Sequence, residues 1–184
     1  MAISLFTTPR SGDQELRRQV LERLQGMNRA ALIHTTCLLM KSMGYRDIQI
    51  VGNTKWRGHS DAGAVDIVAT IFRGAVRART VVQVKALPDR RTVQRRFVDE
   101  LRGAMPRFTA SQAIIFANRE FSPIAEVIAD FAYGQPVRLI DGSWMARLMI
   151  KNGVGVRLKP LTDSCLPESM IDEVFFAQLE GLGQ

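Results

Sequence analysis

Three polar residues interrupt two apolar segments on either side of a glycine turn. Asp66 begins the first segment, and Gln83 and Lys85 lie near the end of the second. Carboxylate and amide oxygens are hard ligands that suit Mg²⁺ or Mn²⁺, and an ammonium group beside them can orient an attacking water and stabilise charge on a phosphate. Phosphodiester hydrolysis needs such a set. An ordinary cross-strand salt bridge between Asp66 and Lys85 is the alternative explanation.

The segment 65–85, VDIVATIFRGAVRARTVVQVK, predicts a hairpin of two apolar strands around an arginine-rich turn. Side chains alternate between the two faces of a strand, so Gln83 and Lys85 share a face. An even number of turn residues places Asp66 on that face as well. A turn centred between residues 75 and 76 would set Asp66 directly opposite Lys85, and the glycine in the turn leaves other registers open.

The rest of the chain alternates helical and strand patterns. A helical segment is predicted from residue 13 to residue 43, with a break near Gly26 and a stop at Gly44. Because strands and helices alternate, we expect a single α/β domain with a mixed central sheet flanked by helices. The further predicted strands are 48–51, 113–117, 137–140 and 154–158, and the further predicted helices are 92–105, 123–133 and the segment that follows DGS and ends at Ile150.

Composition limits the partners. The chain has 25 Lys and Arg against 18 Asp and Glu, a net charge of +7 and a pI of about 10.1. This balance favours a polyanion, with nucleic acid the commonest choice and an anionic membrane surface the rival. No apolar run approaches the roughly 20 residues that span a bilayer, and no signal peptide is apparent, so we expect a cytoplasmic protein. Cys37 and Cys165 have no metal-site spacing and are expected to be reduced thiols.

Longer motifs extend the argument. GAVDIVATIF, VVQVK, DELRGAM, AIIFANREFSPIAEVIADFA and VRLIDGSWMARLMIKNGVGV follow one another in order. Together, over roughly residues 28–158, they resemble the Mrr-like restriction endonuclease domain of the PD-(D/E)xK nuclease superfamily. The resemblance implies a restriction-endonuclease-like three-layer sandwich and a Mg²⁺-dependent DNA endonuclease of restriction or defence type. Asp66 and Gln83, with the carbonyl of Val84, would hold Mg²⁺ or Mn²⁺, and Lys85 would be the catalytic lysine.

One departure from the family pattern concerns a missing acid. Family members carry a Phe-Glu pair on the helix before the LLxxMGY-like segment, and Leu32 and Ile33 stand there in this chain. Glu15, Glu22 and His34 are candidates for a partial substitute, although a single neutral histidine would bind Mg²⁺ poorly.

The loop before the first strand offers two auxiliary candidates. Asp61 in SDAGAVD is a candidate second acidic ligand, although an Asp before Ala-Gly more often makes a local turn hydrogen bond. His59 could approach a scissile phosphate, although a lone loop histidine more often faces solvent. Basic residues around the turn and the next helix, together with Trp56, predict contacts to nucleic acid. The basic candidates are Arg57, Arg73, Arg77, Arg79, Arg90, Arg91, Arg95 and Arg96.

These features divide the chain into an N-terminal helical extension (1–27), a nuclease domain (28–158) and a C-terminal helical tail (159–184). The tail carries an apolar stripe at helical spacing, which would pack either on its own domain or in a homodimer interface. A dimer would suit an enzyme that cuts both strands of a duplex. The stripe consists of Met170, Val174, Phe175 and Leu179.

Two other functions stay open at this level. The missing glutamate, and Gln83 in the place of an acid, are also what a degenerate nuclease would show if it binds DNA or a partner without cutting. A purely structural subunit, recruited through the C-terminal stripe, is the third hypothesis.

Overall fold

The structure is a computed structural model that describes residues 11–51, 64–88, 91–130, 134–158 and 169–182. The helices are α1 (Ser11–Gly26), α2 (Arg29–Ser42), α3 (Arg95–Ala104), α4 (Pro123–Ala129), α5 (Gly142–Lys151) and α6 (Glu173–Glu180), with a 3₁₀ turn at Met105–Phe108. The strands are β1 (Arg46–Ile50), β2 (Ile67–Arg73), β3 (Val76–Lys85), β4 (Gln112–Ala117), β5 (Val137–Ile140), β6 (Val156–Leu158) and β7 (Ser169–Ile171).

Five strands form one mixed sheet in the order β1-β2-β3-β4-β5. Strand β2 is antiparallel to both β1 and β3, whereas β3, β4 and β5 run parallel to one another. Helices α3 and α4 lie in the two crossovers between the parallel strands, as parallel neighbours require. The predicted α/β fold with a mixed sheet is therefore confirmed. Strands β6 and β7 form a separate antiparallel pair.

Helices cover both faces of the sheet and make a three-layer sandwich. One face packs residues such as Ile67, Val84 and Phe116 in a buried cluster with α1, α2, α5 and α6. The opposite face packs Val81 and Ile115 in a second cluster with α3 and α4. The run 113–117 is buried on both sides, as its continuous apolar sequence predicts.

Capping residues explain where several helices begin and end. The Asn28 side chain accepts a hydrogen bond from the Ala31 N–H (2.9 Å), which starts α2 after the predicted break near Gly26. Gly44, with φ +92°, follows the end of α2 as predicted. Ser122 caps α4, but that helix ends at Ala129 rather than at residue 133.

The β2–β3 hairpin has a two-residue turn, and its register does not place Asp66 opposite Lys85. Arg73 is paired with Val76, so the turn contains two residues, and the predicted even count is confirmed. Gly74 lies in this turn at φ +59°, a conformation that glycine adopts without strain. Since Ile67 is paired with Val82, the next position places Asp66 opposite Gln83 and not opposite Lys85. Asp66 is therefore offset by two residues from Lys85, in one of the other registers that the glycine turn left open.

The edge strand β1 is irregular. Its pairing with β2 shifts between Arg46 and Gln49, and Asp47 between them has φ +50°. Such a bulge bends a strand and interrupts its ladder of hydrogen bonds.

The segments outside the predicted nuclease domain pack on the same core. Leu16, Val20 and Leu24 of α1 are buried in the cluster that also contains Phe176 of α6. Arg23 of α1 also forms a salt bridge with Glu173 and a longer one with Glu180. Extension, domain and tail therefore share one hydrophobic core where the structure describes them, and the three-part division stays a prediction.

The apolar stripe of the C-terminal tail packs largely on the core of its own chain. Leu179 is buried and Phe175 is half-buried against the core, while Val174 is 64% exposed. Packing on its own domain therefore accounts for most of this apolar surface. No helix among the described residues is long and apolar enough to cross a bilayer.

A glycine contact at the start of α5 gives a test of the packing. A Cβ at Gly142 would lie 2.6 Å from the carbonyl oxygen of Asn118, so Gly142→Ala should lower the free energy of unfolding by about 1–3 kcal/mol. Gly103→Ala in α3 meets open space and should raise it by up to about 1 kcal/mol. Urea denaturation of both variants measures the difference. A Gly142 variant as stable as the wild type would show that α5 does not approach β4 this closely.

Candidate active site

Asp66 lies immediately before β2, where its backbone is fixed on both sides. Its N–H donates to the Val82 carbonyl and its carbonyl accepts from the Val51 N–H, both at 2.8 Å. The side chain is 3% exposed. Carboxylate oxygen Oδ2 accepts a hydrogen bond from the Val84 N–H at 2.7 Å, and Oδ1 accepts from the guanidinium of Arg29. The carboxylate is thus held at the end of the hairpin by β3 and α2.

Gln83 and Lys85 share the sheet face with Asp66, as the alternation predicts. Gln83 is buried, and its Oε1 has no hydrogen-bond partner among the described residues. Buried polar atoms are nearly always paired, so an unpaired amide oxygen beside a carboxylate indicates a position for a ligand or water. Lys85 is half-buried, and its Nζ lies 3.8 Å from the centroid of the Phe97 ring, within cation–π distance.

The backbone of Val84 adds a further oxygen to this site. The N–H and C=O groups of one residue in a strand point to the same edge, and the Val84 N–H points toward Asp66. Its carbonyl therefore lies on the β2 side of β3, beyond Ile67, the first residue of β2. The Asp66 carboxylate, the Gln83 amide oxygen and the Val84 carbonyl are three oxygens whose chemistry fits a hard divalent cation.

Burial shifts the pKa of Asp66 and that of Lys85 in the directions that favour their neutral forms. It raises the pKa of the Asp66 carboxyl above its usual value, against the hydrogen bond from Val84 and the charges of Arg29 and Lys85. It also lowers the pKa of Lys85, against the attraction of Asp66 and Glu100. Perturbed pairs of this kind concentrate at functional sites.

Two residues of the site escaped the sequence analysis. Arg29 is the first residue of α2 and lies 37 positions from its partner Asp66, so no spacing rule relates them. Phe97 lies within the predicted helix 92–105 with no role assigned to it, yet its ring centroid lies 3.8 Å from Lys85 Nζ and 4.7 Å from the guanidinium carbon of Arg96. A lone arginine at a helix start and an aromatic residue in an amphipathic helix give no signal that separates them from surface and core residues.

The position of the family glutamate is apolar, and the candidate substitutes have other surroundings than the Asp66 carboxylate. Leu32 and Ile33 are both buried in the core cluster of α1 and α2. Glu15 and Glu22 bond Arg18 on the exposed side of α1. His34, the remaining candidate, is exposed. Within the described ranges, no three His, Cys, Asp or Glu side chains cluster as a metal-binding group.

The basic candidates fall into two separate groups. Arg77 and Arg79 lie toward the turn end of β3, about 26 Å and 20 Å along the strand from Lys85. Arg79 is moreover bonded to the Phe108 carbonyl and to Thr109 Oγ1, at 3.1 Å each. These two arginines therefore lie away from the site, and their contact with nucleic acid stays a prediction.

The second group is near the start of α3, beside Phe97. Arg91 precedes this helix, and Arg95 and Arg96 form its first turn, with Arg95 bonded to Asp99 at 3.0 Å. The remaining candidates lie outside the described residues or have side chains outside them. These are Trp56, Arg57, His59, Asp61, Arg73 and Arg90.

Removing the Asp66 charge tests the cost of burying it. Because the folded protein binds this proton more tightly than the unfolded chain, the stability that Asp66 contributes is full at low pH and is lost as pH rises through the folded-state pKa. Asp66→Asn cannot ionise and should raise the Tm by about 2–4 °C at pH 8, with a smaller gain near pH 4.

Thermal unfolding followed by circular dichroism at the two pH values measures this gain. Asp99→Asn, on the exposed side of α3, is the control and should show little pH-dependent difference. A lower Tm for Asp66→Asn at pH 8 would mean that the ion pair with Arg29 outweighs the cost of burial.

The fold is similar to that of two restriction endonucleases of known structure. A structure titled "DNA modification-dependent restriction endonuclease AspBHI" superposes with a TM-score of 0.57 at 15% identity, covering 84% of this chain and 41% of that one. A structure of the MspJI restriction endonuclease in complex with a 27-mer oligonucleotide has a TM-score of 0.52 at 17% identity, covering 81% of this chain and 35% of that one. These likenesses show the restriction-endonuclease-like fold, and the chain spans less than half the length of either enzyme.

The sequence itself matches a family model. No curated protein matches significantly. The model Mrr_cat, described as restriction endonuclease, matches residues 24–149, which is well over half of the chain. The match includes Asp66, Gln83 and Lys85. The chain therefore belongs to the Mrr-type restriction endonuclease family.

Proposed function

We propose that this chain is a metal-dependent endonuclease that hydrolyses phosphodiester bonds in DNA, of restriction or defence type. The observation that carries the proposal is the convergence of Asp66, Gln83 and Lys85 at the open end of the β2–β3 hairpin, where the buried Gln83 Oε1 has no partner in the described part of the chain. The family match, the oligonucleotide complex of MspJI and the net charge of +7 support it.

The metal would be held by oxygen atoms of this chain. The Asp66 carboxylate, Gln83 Oε1 and the Val84 carbonyl would hold Mg²⁺ or Mn²⁺. When bound, such an ion stabilises negative charge on the phosphate and lowers the pKa of a coordinated water. The Val84 N–H fixes the orientation of the Asp66 carboxylate through Oδ2, so the carboxylate needs little reorganisation.

Lys85 would orient the attacking water. Burial lowers the pKa of its amine, so a larger fraction is neutral at mildly alkaline pH and can accept a proton. The Phe97 ring holds Nζ at 3.8 Å from its centroid and restricts the directions in which the amine can point. An amine and a carboxylate held in place would lower the entropic cost of positioning a water for in-line attack on phosphorus.

Phosphates would be held beside the site by the arginines that precede and begin α3. Arg96 lies over the Phe97 ring, which Lys85 also contacts, Arg95 precedes it as the first residue of α3, and Arg91 lies beside Asn118, whose N–H donates to the Lys85 carbonyl. Arg77 would contact a distant part of a bound duplex, because it lies at the other end of β3. A homodimer would place one such site on each strand of a DNA duplex. Analytical ultracentrifugation, which measures the oligomeric state, tests for it.

A second candidate function has its own observation. Arg29 already neutralises Asp66, and Leu32 and Ile33 fill the place of the family glutamate with apolar side chains. A degenerate site of this kind would bind DNA without cutting it. Salt-sensitive DNA binding without metal-dependent cleavage would establish this alternative.

Cleavage of supercoiled plasmid, methylated and unmethylated, tests the two functions with Mg²⁺ or Mn²⁺ present. We expect Asp66→Ala and Lys85→Ala each to reduce the rate at least about 100-fold, because each removes a group that stabilises the transition state. Lys151→Ala removes an exposed lysine from the last turn of α5 and should cut normally.

The comparison also controls for contaminating nucleases, whose activity no variant would change. Equal cutting by all four proteins would overturn the assignment of the site. A folded wild type that binds DNA and does not cut would favour the degenerate nuclease.

A further inference from the structure

Arg29 is a site residue that the proposed chemistry does not use. It begins α2, and its guanidinium donates to Asp66 Oδ1, one of the oxygens available to a metal. The two partners differ in exposure, since the Arg29 side chain is 56% exposed and that of Asp66 is 3% exposed. One end of the ion pair is therefore fixed in the protein, while the other can rotate into solvent.

Charge balance sets a competition for Asp66. The buried carboxylate has one cation, Arg29, bonded to Oδ1 and a second, Lys85, close enough to lower its pKa. A divalent cation at the same carboxylate would add two positive charges and repel Arg29. The guanidinium would then leave Asp66, which costs little because more than half of the side chain is already in water.

The freed guanidinium has a natural second partner. Arginine binds carboxylate and phosphate groups with the same planar set of N–H donors. A metal-bound phosphodiester at this site would place phosphate oxygens next to the carboxylate that Arg29 has just left. Arg29 would therefore exchange one oxyanion for another with a small rotation of its side chain.

We propose that Arg29 switches between two anions: it pairs with Asp66 in the metal-free site and with a DNA phosphate when a divalent cation is bound. This inference rests on the proposed function, because it requires metal and DNA at the same site. It couples the two ligands, so metal raises DNA affinity and DNA raises metal affinity by the same factor.

The exchange predicts effects of opposite sign for one substitution. Arg29→Ala removes the competitor for Asp66 and should tighten Mn²⁺ binding to the DNA-free protein about five-fold. The same substitution removes a phosphate contact in the metal-bound state and should weaken DNA binding in Ca²⁺ about five-fold. Without metal, it should leave DNA affinity nearly unchanged, because Arg29 is then occupied by Asp66.

Calorimetric titration with Mn²⁺, and fluorescence anisotropy with a 20-base-pair duplex in Ca²⁺ or in EDTA, measure these three quantities at fixed ionic strength. Arg18→Ala is the matched control, since Arg18 is 58% exposed and ion-paired with Glu15 and Glu22 within α1. It removes the same charge without touching Asp66. Arg29→Lys should fall between wild type and Arg29→Ala, because lysine keeps the charge but loses the planar set of donors.

The salt dependence gives a second readout. In Ca²⁺, Arg29→Ala should reduce the slope of log Kd against log salt by about one ion, and in EDTA it should not. Equal loss of DNA affinity in Ca²⁺ and in EDTA would overturn the exchange, since Arg29 would then contact DNA in both states. Weaker Mn²⁺ binding by Arg29→Ala would also overturn it, because Arg29 would then be a support for Asp66.

These failures differ from a failure of the proposed function. Mn²⁺ binding that depends on Asp66 but is unchanged in Arg29→Ala overturns the exchange alone. Absence of Mn²⁺ binding in wild type, Arg29→Ala and Asp66→Ala overturns the exchange and the metal-dependent nuclease together.

Discussion

One hydrogen bond determines how this site is built. Strand β3 continues past Ile67, the first residue of β2, so the Val84 N–H has no strand partner on that side within the described ranges. The Asp66 carboxylate accepts it at 2.7 Å and replaces the missing strand with a side chain. A buried N–H would otherwise be costly to leave unpaired, as would a buried carboxylate. The hydrogen bond between them satisfies both groups, and it holds a carboxylate in the interior at the edge of β3.

The remaining site groups depend on that arrangement. Alternation along β3 places the Gln83 side chain on the face of Asp66, where its amide oxygen is buried and has no hydrogen-bond partner among the described residues. Lys85 follows two residues later and turns its amine to the Phe97 ring. Asp66 and Lys85 each have a further partner. Arg29 donates to the Asp66 carboxylate, and the Phe97 ring contacts the Lys85 amine.

The sequence predicted the parts of this site that follow from local periodicity. Alternation along β3 put Gln83 and Lys85 on one face, and an even turn added Asp66 to them. The register stayed open because glycine allows several two-residue and four-residue turns, which backbone patterns do not separate. Arg29 was missed for a different reason. Its contact joins residues 37 positions apart through tertiary packing of α2, which periodicity within one element does not encode.

The irregular edge at β1 limits how copies of this domain can associate. A regular edge strand presents a row of free N–H and C=O groups that another chain can extend into a longer sheet. The shift between Arg46 and Gln49, with Asp47 at a positive φ, breaks that row and places charged side chains along it. Continuous sheet addition across β1, one of the two edge strands of the five-stranded sheet, is thereby disfavoured. The same irregularity acts against aggregation through this strand.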